Sequence, residues 1–383
     1  MIEIKYITVE LALTYALLAF AALQVFYYVF FYMRLVFAKR KQPAENNVVP
    51  ISVIICAKNQ EDNLRKFLPM VLEQKYENYE VIVVNDCSID DTEFLLPQLQ
   101  KKYPHLRTSF IKEDNRFKHG KKLAVTIGIK AARYDHFVFI DADCRPESAD
   151  WLQAISNKFL NNKQLVLGYG GYESRAGMLD KLVRYDTLQV AMNYLSFAHA
   201  GVPYMGVGRN MAYTREAYMK SSRFTKHYHI LSGDDDLFVS EVGRRHNTAI
   251  EISPQSITRS LQVDTFAQWC AQKRRHLMSS KKYRFVHKFL LALEPFSREM
   301  LYLFTIFYAL LYMFAGWSHL YEFVLGAVAL RFVLQHIIVG FTAKRLNEKG
   351  LFPYIMLFDI YLPLSTAWFF VQNKLRGGRL QRW

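Results

Sequence analysis

The sequence is poor in cysteine, and the cysteines that it has are not paired. Only four occur in 383 residues, at positions 56, 87, 144 and 270. No two form the C-x-x-C pattern, which argues against a zinc ribbon and against a redox-active pair. Isolated cysteines are typical of a reduced, cytosolic compartment. Low-complexity tracts and clear internal repeats are also missing, which argues against a repeat architecture.

The chain is instead rich in apolar side chains and in positive charge. Hydrophobic residues make up 51% and aromatic residues 15%, which excludes a disordered protein. The 49 Lys and Arg against 34 Asp and Glu give a net charge of +15. Such a surplus suits nucleic acid, an anionic membrane surface or a phosphorylated substrate. Because no groove-reading motif is present and apolar residues cluster in long segments, we expect a membrane and a phosphorylated substrate, and no nucleic acid.

The N-terminal segment has the pattern of a membrane anchor. Residues 8–37 are nearly all apolar, and about 20 such residues cross a bilayer as a helix. Leu11–Phe31 alone covers that length, and a basic group follows it, at positions 34, 39, 40 and 41. A signal peptide carries its charge before the apolar stretch, so this order predicts an uncleaved anchor. The positive-inside rule then places the following residues in the cytosol.

A second apolar zone occupies residues 300–372. Leu301–Trp317 and Phe323–Phe341 predict a helical hairpin. Leu351–Val371 is long enough to span, but a full crossing would place the basic tail 373–383 outside. Two interpretations therefore stay open, a further span or a re-entrant helix pair, and the positive-inside rule favours the pair.

Charged residues lie beside and inside this zone. Lys281, Lys282, Arg284 and Lys288 predict an amphipathic interfacial helix over 281–299. Arg331 and Asp359 stand at apparent mid-membrane depth, where charges usually face a protein interior and are paired. We expect that these two residues pair or that Arg331 meets a lipid phosphate; the alternative is that they extend to an interface.

The middle of the chain alternates short β-branched runs with helical patterns. Strands are predicted at Val49–Cys56, Val81–Asp86 and Phe137–Asp141. Helices are predicted at 60–74, 90–102, 121–133 and 148–160. This alternation predicts a Rossmann-like, mostly parallel α/β sheet, in which ligands bind beyond the carboxyl ends of the strands.

In chain order, the sequence thus predicts five parts. They are a transmembrane anchor (1–40), a cytosolic α/β domain (45–280), an interfacial helix (281–299), membrane helices (300–372) and a basic tail (373–383).

Polar side chains follow three predicted strands. They lie in Ala57–Lys58–Asn59–Gln60, Asn85–Asp86 and Asp141–Ala142–Asp143. Residues two apart on an extended chain point the same way, so the carboxylates of Asp141 and Asp143 suit a hard divalent cation that also holds phosphate oxygens. The alternative is an acidic turn in which Asp143 caps a helix.

Two further clusters lie downstream. Gly233-Asp234-Asp235-Asp236 can be a helix start, because Asp is favoured there. Adjacent carboxylates also repel one another, and a repelled or buried carboxyl has its pKa raised towards that of a useful base. The segment Phe266–His276 predicts a cationic helix, which is either part of a site or a membrane-surface helix.

Four motifs in this order resemble the membrane-bound inverting glycosyltransferases of family 2, which have a GT-A fold and include cellulose, chitin and hyaluronan synthases. The motifs are Asp86, Asp141-Ala-Asp143, Gly233-Asp234-Asp235 and Gln272-Lys-Arg-Arg275-His276. Gly120-Lys121-Lys-Leu-Ala and Gly206-Val-Gly208-Arg-Asn210 also resemble family segments. The resemblance covers nearly the whole chain.

The resemblance implies a role for each matching residue. The metal, Mg²⁺ or Mn²⁺, would be held mainly by Asp143 together with Asp141. Asp235 would be the catalytic base, and Asp234 would orient the acceptor. The donor-binding residues would be Cys56, Lys58, Gln60, Asp86, Lys121, Asp141, Gln272 and Arg275. The acceptor-binding residues would be Gly208, Asn210 and His276. No role follows for Asp236.

The resemblance also implies a reaction. We expect an inverting transfer of a sugar from a nucleotide-diphosphate donor, with a UDP-sugar favoured, to a lipid or lipid-linked acceptor at the cytosolic face of a multi-pass cytoplasmic-membrane protein. His276 replaces the Trp that stacks on the acceptor in processive synthases, which favours single transfers over polymerisation. The alternatives are a processive polysaccharide synthase and an inactive membrane-anchored binding partner; the latter predicts decay of the acidic motifs, which are all present.

Overall fold

A large α/β domain is joined to a set of long apolar helices. The computed structural model describes residues 2–38, 49–112, 120–159, 162–225, 233–280, 282–315 and 321–375. The basic residues at 39–41, Lys281 and the tail from 376 onward lie outside the described residues.

The α/β domain is built on a seven-stranded sheet with the order β3-β2-β1-β4-β8-β6-β9. Its strands are β1 (Ile51–Ala57), β2 (Tyr79–Asp86), β3 (Leu106–Ile111), β4 (His136–Phe139), β6 (Leu165–Gly168), β8 (Met211–Thr214) and β9 (Thr248–Glu251). β1 runs parallel to β2 and β4, β2 runs parallel to β3, and β8 runs antiparallel to its two neighbours. The mostly parallel sheet that the sequence predicts is therefore confirmed.

The first four helices of this domain pack on the sheet. They are α3 (Glu61–Leu72), α4 (Thr92–Lys102), α5 (Lys121–Ala131) and α6 (Trp151–Ser156). Both faces of the central strands are buried, as the continuous apolar runs require. Two predicted elements extend too far. The helix predicted to end at residue 160 is α6, which ends at Ser156, and the strand predicted to end at Asp141 is β4, which ends at Phe139.

A small second sheet stands beside the carboxyl ends of the large one. It contains β5 (Cys144–Pro146), β10 (Thr258–Ser260) and β7 (Gly170–Tyr172), in that order. β10 pairs antiparallel with β5 and parallel with β7. This sheet brings residues from three distant parts of the chain next to the turn that follows β4.

The remaining helices of the α/β domain connect it to the apolar helices. They are α7 (Met178–His199), α8 (Arg215–Lys220), α9 (Asp236–Val242) and α10 (Phe266–Ser280). The ring of Phe197 in α7 stacks on Phe31 at 4.3 Å between centroids, and the Tyr32 hydroxyl donates to Asn193 Oδ1 at 2.7 Å. Trp269 in α10 packs edge-on against Phe369. One hydrophobic core thus runs from the sheet into the membrane region.

The apolar helices are α1 (Ile2–Phe26), α2 (Met33–Phe37), α11 (Phe285–Ala315), α12 (Tyr321–Arg345) and α13 (Ile355–Leu375), with a π-helical segment joining α1 to α2. Within the described ranges, three segments are long and apolar enough to cross a membrane: Glu10–Phe37, Tyr321–Arg345 and Phe352–Gln372. The predicted anchor and the second arm of the hairpin coincide with two of them.

The structure bears on two details of the expected membrane region. The interfacial helix does not end at residue 299, because α11 continues without a break from Phe285 to Ala315. For the last segment, α13 is one uninterrupted helix that accommodates Pro363, which favours the further span over the re-entrant pair. Pro removes only one backbone donor, and neighbouring helices support the freed carbonyl in such bundles.

Charged residues inside the helical bundle form ion pairs with one another. Arg331 donates to Asp359 Oδ2 at 2.6 Å, and Arg298 donates to Asp359 Oδ1 at 2.8 Å. Arg298 also pairs with Glu294 at 3.3 Å, and Gln24 of α1 accepts a longer bond from Arg331. The side chains of Arg331 and Asp359 have no exposed surface. The expected pairing of these two residues is present, and contact between Arg331 and a lipid phosphate is not needed.

Candidate active site

A cavity of about 750 Å³ opens beyond the carboxyl ends of β1 and β4. It is enclosed by the turn after β4, the small sheet, α7, the loop at 205–209, the start of α9, and α10. Twelve of the predicted site residues line it. They are Cys56, Lys58, Gln60, Lys121, Asp141, Asp143, Gly208, Asp234, Asp235, Gln272, Arg275 and His276.

Two predicted site residues do not line this cavity. The buried Asn210 side chain accepts from Trp151 Nε1 at 3.2 Å and donates to the carbonyls of Tyr169 and Ser256 at 2.7 Å each. Its amide is therefore used in holding the loop, and the prediction of acceptor binding is corrected. Asp86 is fully buried at the end of β2, and its role in donor binding stays a prediction.

Lys121 stands at the centre of the acidic groups. It begins α5, and its Nζ lies 2.7 Å from Asp141 Oδ1 and 3.6 Å from Asp234 Oδ2. Although burial acts to lower its pKa, the carboxylates of Asp141, Asp234 and Asp235 raise the pKa of Lys121 well above its ordinary value. Lys121 is therefore a permanent cation at the point where the two acidic motifs meet.

The turn after β4 brings Asp141 and Asp143 together. The reason differs from the expected extended chain: the backbone N–H of Cys144 donates to the Asp141 carbonyl, which closes a turn. Potential ligand atoms of Asp141, Asp143 and Cys144 lie within 4.8 Å of one another. Ser260 donates to Asp143 Oδ2 at 3.1 Å and orients that carboxylate.

These residues fit a hard divalent cation. Burial, and then the neighbouring Asp141 carboxylate, raises the pKa of Asp143, and a bound cation would relieve both effects. Burial also raises the pKa of the Cys144 thiol well above its ordinary value, so the sulfur stays protonated and donates to Asp143 Oδ1. The two carboxylates are thus the candidate ligands, and oxygen ligands favour Mg²⁺ or Mn²⁺.

Asp235 is held in a fixed orientation at the cavity wall. Its Oδ2 accepts from the Gly208 backbone N–H at 2.7 Å, and its Oδ1 accepts from the Asp236 N–H at 2.8 Å. A Cβ atom at Gly208 would lie 3.0 Å from Lys121 Nζ and 3.4 Å from Asp235 Oδ2, so a side chain there would crowd both groups. Burial, followed by repulsion from Asp234 and Asp236, raises the pKa of Asp235 to about 7. A carboxyl with this pKa is suited to general-base catalysis near neutral pH.

Asp236, for which the motif implied no role, connects the site to the helices behind it. Its Oδ2 accepts from Ser279 in α10 and from Tyr283 at 2.8 Å, and its Oδ1 accepts from the Leu237 N–H at 2.7 Å. These three donors use both of its oxygens. Asp236 therefore anchors the start of α9, and Asp235 beside it faces the cavity.

The small sheet and α10 form the opposite wall. Gln272 Nε2 donates to the Tyr172 hydroxyl at 2.9 Å, and the guanidinium of Arg209 lies 4.5 Å from the centre of the Tyr172 ring. Arg209 and Tyr172 line the cavity, yet sequence reasoning assigned them no role. Arg209 could have been found from the sequence, because it lies between Gly208 and Asn210 in the segment that resembles a family motif.

Apolar side chains from the long helices also line the cavity. They are Val183, Val190 and Ala191 of α7, Leu277 of α10 and Leu291 of α11. Leu291 belongs to α11, which continues into the apolar bundle. The cavity is therefore lined both by charged groups of the strand ends and by apolar groups of helices that pack on the bundle.

Part of this chain is similar in sequence to known proteins. Residues 52–220 match the family described as Glycosyl transferase family 2. The poly-beta-1,6-N-acetyl-D-glucosamine synthase of Staphylococcus aureus (strain MSSA476) is 28% identical over 184 residues, which cover 44% of this chain and 43% of that protein. A Haemophilus influenzae protein named as an uncharacterized glycosyltransferase is 26% identical over 204 residues, or 51% of this chain and 60% of that one. The chain thus spans about half the length of these relatives.

A solved structure shows the same fold. The mannosyltransferase PcManGT from Pyrobaculum calidifontis, in complex with GDP-Man and Mn²⁺, matches with a TM-score of 0.54 and 16% identity. The match covers 92% of this chain and 99% of that one. The predicted GT-A-like α/β fold with added apolar helices is confirmed, and the predicted family is matched over residues 52–220.

Proposed function

Residues 52–220 of this chain form a glycosyltransferase family 2 domain, and from that premise we propose that the protein transfers a sugar from a nucleotide-diphosphate donor to an acceptor hydroxyl with inversion. The observation that carries the proposal is Asp235. A buried carboxyl with a pKa of about 7 faces the same cavity as two carboxylates suited to a divalent cation.

Asp143 and Asp141 would hold the Mg²⁺ or Mn²⁺ ion. When bound, such an ion supplies positive charge that stabilises the departing diphosphate. The donor set supports this role because it is built from carboxylate oxygens and because Asp143 carries charge repulsion that a cation relieves. Lys121 is already bonded to Asp141, so it would fix that carboxylate beside the donor.

Asp235 would remove the proton of the acceptor hydroxyl. As the acceptor oxygen bonds to the anomeric carbon, the bond from that carbon to the diphosphate breaks, and its electron pair leaves with the diphosphate. The proton passes to Asp235, whose orientation the Gly208 and Asp236 amides maintain. Attack from the side opposite the leaving group inverts the anomeric centre. Arg275 and Gln272 would add polar stabilisation of the leaving group.

The donor and the acceptor would share this cavity. The charged groups Asp141, Asp143 and Lys121 suit the nucleotide sugar, for which a UDP-sugar is our first candidate. The apolar side chains that α7 and α11 contribute to the lining support a lipid or lipid-linked acceptor whose tail stays in the bilayer. The three candidate spans support a membrane protein whose catalytic domain is cytosolic, where nucleotide sugars are found.

A processive polysaccharide synthase is the second candidate. The similarity to poly-beta-1,6-N-acetyl-D-glucosamine synthases favours it, since those relatives are named as polymerising enzymes. His276 at the cavity wall, in place of a stacking Trp, favours single transfers. Measuring the length of the product distinguishes the two: one added sugar supports the first candidate, and a ladder of lengths supports the second.

The first test is a nucleotide-sugar hydrolysis and binding screen on the purified full-length protein in detergent. UDP-, GDP- and dTDP-sugars are offered with Mg²⁺ or Mn²⁺, together with the variants Asp143→Ala and Asp135→Ala. Asp135 is a matched control because its carboxylate is exposed and does not line the cavity. Metal-dependent turnover that only Asp143→Ala loses supports the proposal. Absence of both binding and turnover in the wild type contradicts it.

A further inference from the structure

Arg209 is a cation of the cavity wall to which the reaction described above gives no task. Its guanidinium lies over the Tyr172 ring at 4.5 Å, and its aliphatic part passes over Gly170. A Cβ atom at Gly170 would lie 2.6 Å from Arg209 Cγ, so the missing side chain there makes room for the arginine. The position of the guanidinium is therefore built into the small sheet.

The backbone of Arg209 is also fixed. Its carbonyl accepts from Thr258 Oγ1 at 2.9 Å, and the next residue, Asn210, is locked by three hydrogen bonds. The ordering entropy of this long side chain is thus largely lost before any ligand arrives. A preorganised cation of this kind contributes more to ligand binding than a mobile surface arginine.

The charge of Arg209 acts to lower the pKa of Asp143, but no ion pair of Arg209 is found among the residues that the structure describes. Two other cations of the cavity are matched: Lys121 bonds Asp141, and Lys273 bonds Asp186 at 2.7 Å. Arg209 makes no ion pair within the described ranges, and its buried Nε has no hydrogen-bond partner there. A buried donor on a charged group without a partner costs free energy that a bound anion would recover.

We propose that Arg209, stacked on Tyr172, binds a phosphate group of the substrate. This inference rests on the proposed function, because it assigns a ligand to that same cavity. The planar guanidinium suits a phosphate, which accepts several hydrogen bonds at once. The phosphate has two possible sources, the diphosphate of the donor and a phosphate on a lipid acceptor. Both present the same anionic oxygens to Arg209.

Equilibrium binding to the full-length protein in detergent tests the inference. The probes are UDP and GDP with Mn²⁺, the corresponding nucleosides, a polyprenyl monophosphate and the matching polyprenyl alcohol. The variants are Arg209→Gln and Arg209→Lys. Arg65→Gln is the control, because Arg65 is an exposed arginine that pairs only within α3.

For Arg209→Gln we expect at least a tenfold loss of affinity for one class of phosphate, which corresponds to about 1.4 kcal/mol. Affinity for the matching unphosphorylated probe, the nucleoside or the polyprenyl alcohol, should stay within twofold of the wild type. Arg209→Lys should restore part of the lost phosphate affinity. A loss confined to UDP and GDP identifies the donor diphosphate. A loss confined to the polyprenyl phosphate identifies the acceptor.

Three results would overturn the inference. The first is unchanged affinity for both phosphates in Arg209→Gln. The second is an equal loss for phosphorylated and unphosphorylated probes, which shows a structural role only. The third is a wild type that binds no phosphate probe, and this result also contradicts the proposed function. In the first two cases wild-type binding leaves the proposed function standing.

Discussion

Two groups of buried charges in this protein differ in how they are compensated. In the helical bundle, Asp359 is bonded by Arg331, Arg298 and Tyr302. In the cavity, Lys121 pairs with Asp141 and Asp234, and no ion pair of Asp143 or Asp235 is found among the described residues. Removing one partner of a buried pair leaves an uncompensated charge, whereas a group with surplus charge of one sign responds to protons and cations. The bundle network therefore holds helices together, and the cavity is arranged for chemistry.

The largest expected effect comes from removing the proposed base. Asp235→Asn keeps the shape of the side chain but cannot accept the proton, so transfer should fall by about 10²- to 10⁴-fold. Affinity for the nucleotide should change little. Initial rates with donor and acceptor measure the first effect, and nucleotide titration measures the second. Asp135→Asn is the control, and a fully active Asp235→Asn would remove the assignment.

Next in size is the loss of a charge from the bundle. Asp359→Asn leaves Arg331 without its carboxylate and leaves Arg298 with Glu294 alone, and breaking a buried pair in this way costs about 3–5 kcal/mol. We expect a large fall in thermal stability, read from the unfolding midpoint in detergent. The double variant Arg331→Leu/Asp359→Leu should recover part of it, because no unpaired charge of that pair remains. Equal stability of the single variant and the wild type would contradict a network role.

The surplus of carboxylates in the cavity should also make the stability of the protein depend on pH. The pKa of Asp235 is about 7 in the folded protein, against an ordinary value of 3.8. Its contribution to stability is fully present below the ordinary value and is lost as the pH rises through 7. As the pH rises from about 4 to 7, the unfolding midpoint of Asp235→Asn should therefore increase relative to that of the wild type. Parallel curves for the two proteins would argue against a raised pKa.

The smallest expected effect concerns the link between the cavity and the bundle. Tyr283→Phe removes one hydrogen bond to Asp236 but keeps the ring contact with Tyr204. Hydrogen bonds to charged groups contribute about 1.5–3 kcal/mol to stability, and Ser279 remains as a second donor. We expect a modest loss of stability and a fall in the turnover rate without a change in nucleotide affinity. A change in affinity alone would show that Asp236 does not act through Asp235.

Much of the site was accessible from the sequence because it lies at the ends of strands. Cys56 and Lys58 lie at the end of β1 and Asp141 follows β4, and parallel strands bring their carboxyl ends to one edge. The sequence predicted that Asp143 lies beside Asp141. A backbone turn brings the two residues together, in place of the extended segment that was expected. Local pattern therefore located the residues better than it described their geometry.

The residues that pattern misjudged depend on distant partners. Asn210 looked like a binding residue, but Trp151, Tyr169 and Ser256 occupy its amide. Arg209 was passed over, because its cavity position requires Tyr172 and Gly170 from the small sheet. No local periodicity encodes such contacts between segments far apart in the chain.

The sequence by itself determined the alternation of strands and helices, the apolar segments and the positions of the acidic motifs, because each follows from local propensity and hydrophobic pattern. Only the tertiary structure decided the electrostatics. Burial, and the presence or absence of a counterion, made Asp235 a group with a pKa of about 7 and made Asp359 part of a paired network. Both are aspartates in the sequence, and the free energy of a charge depends on the atoms that replace its water.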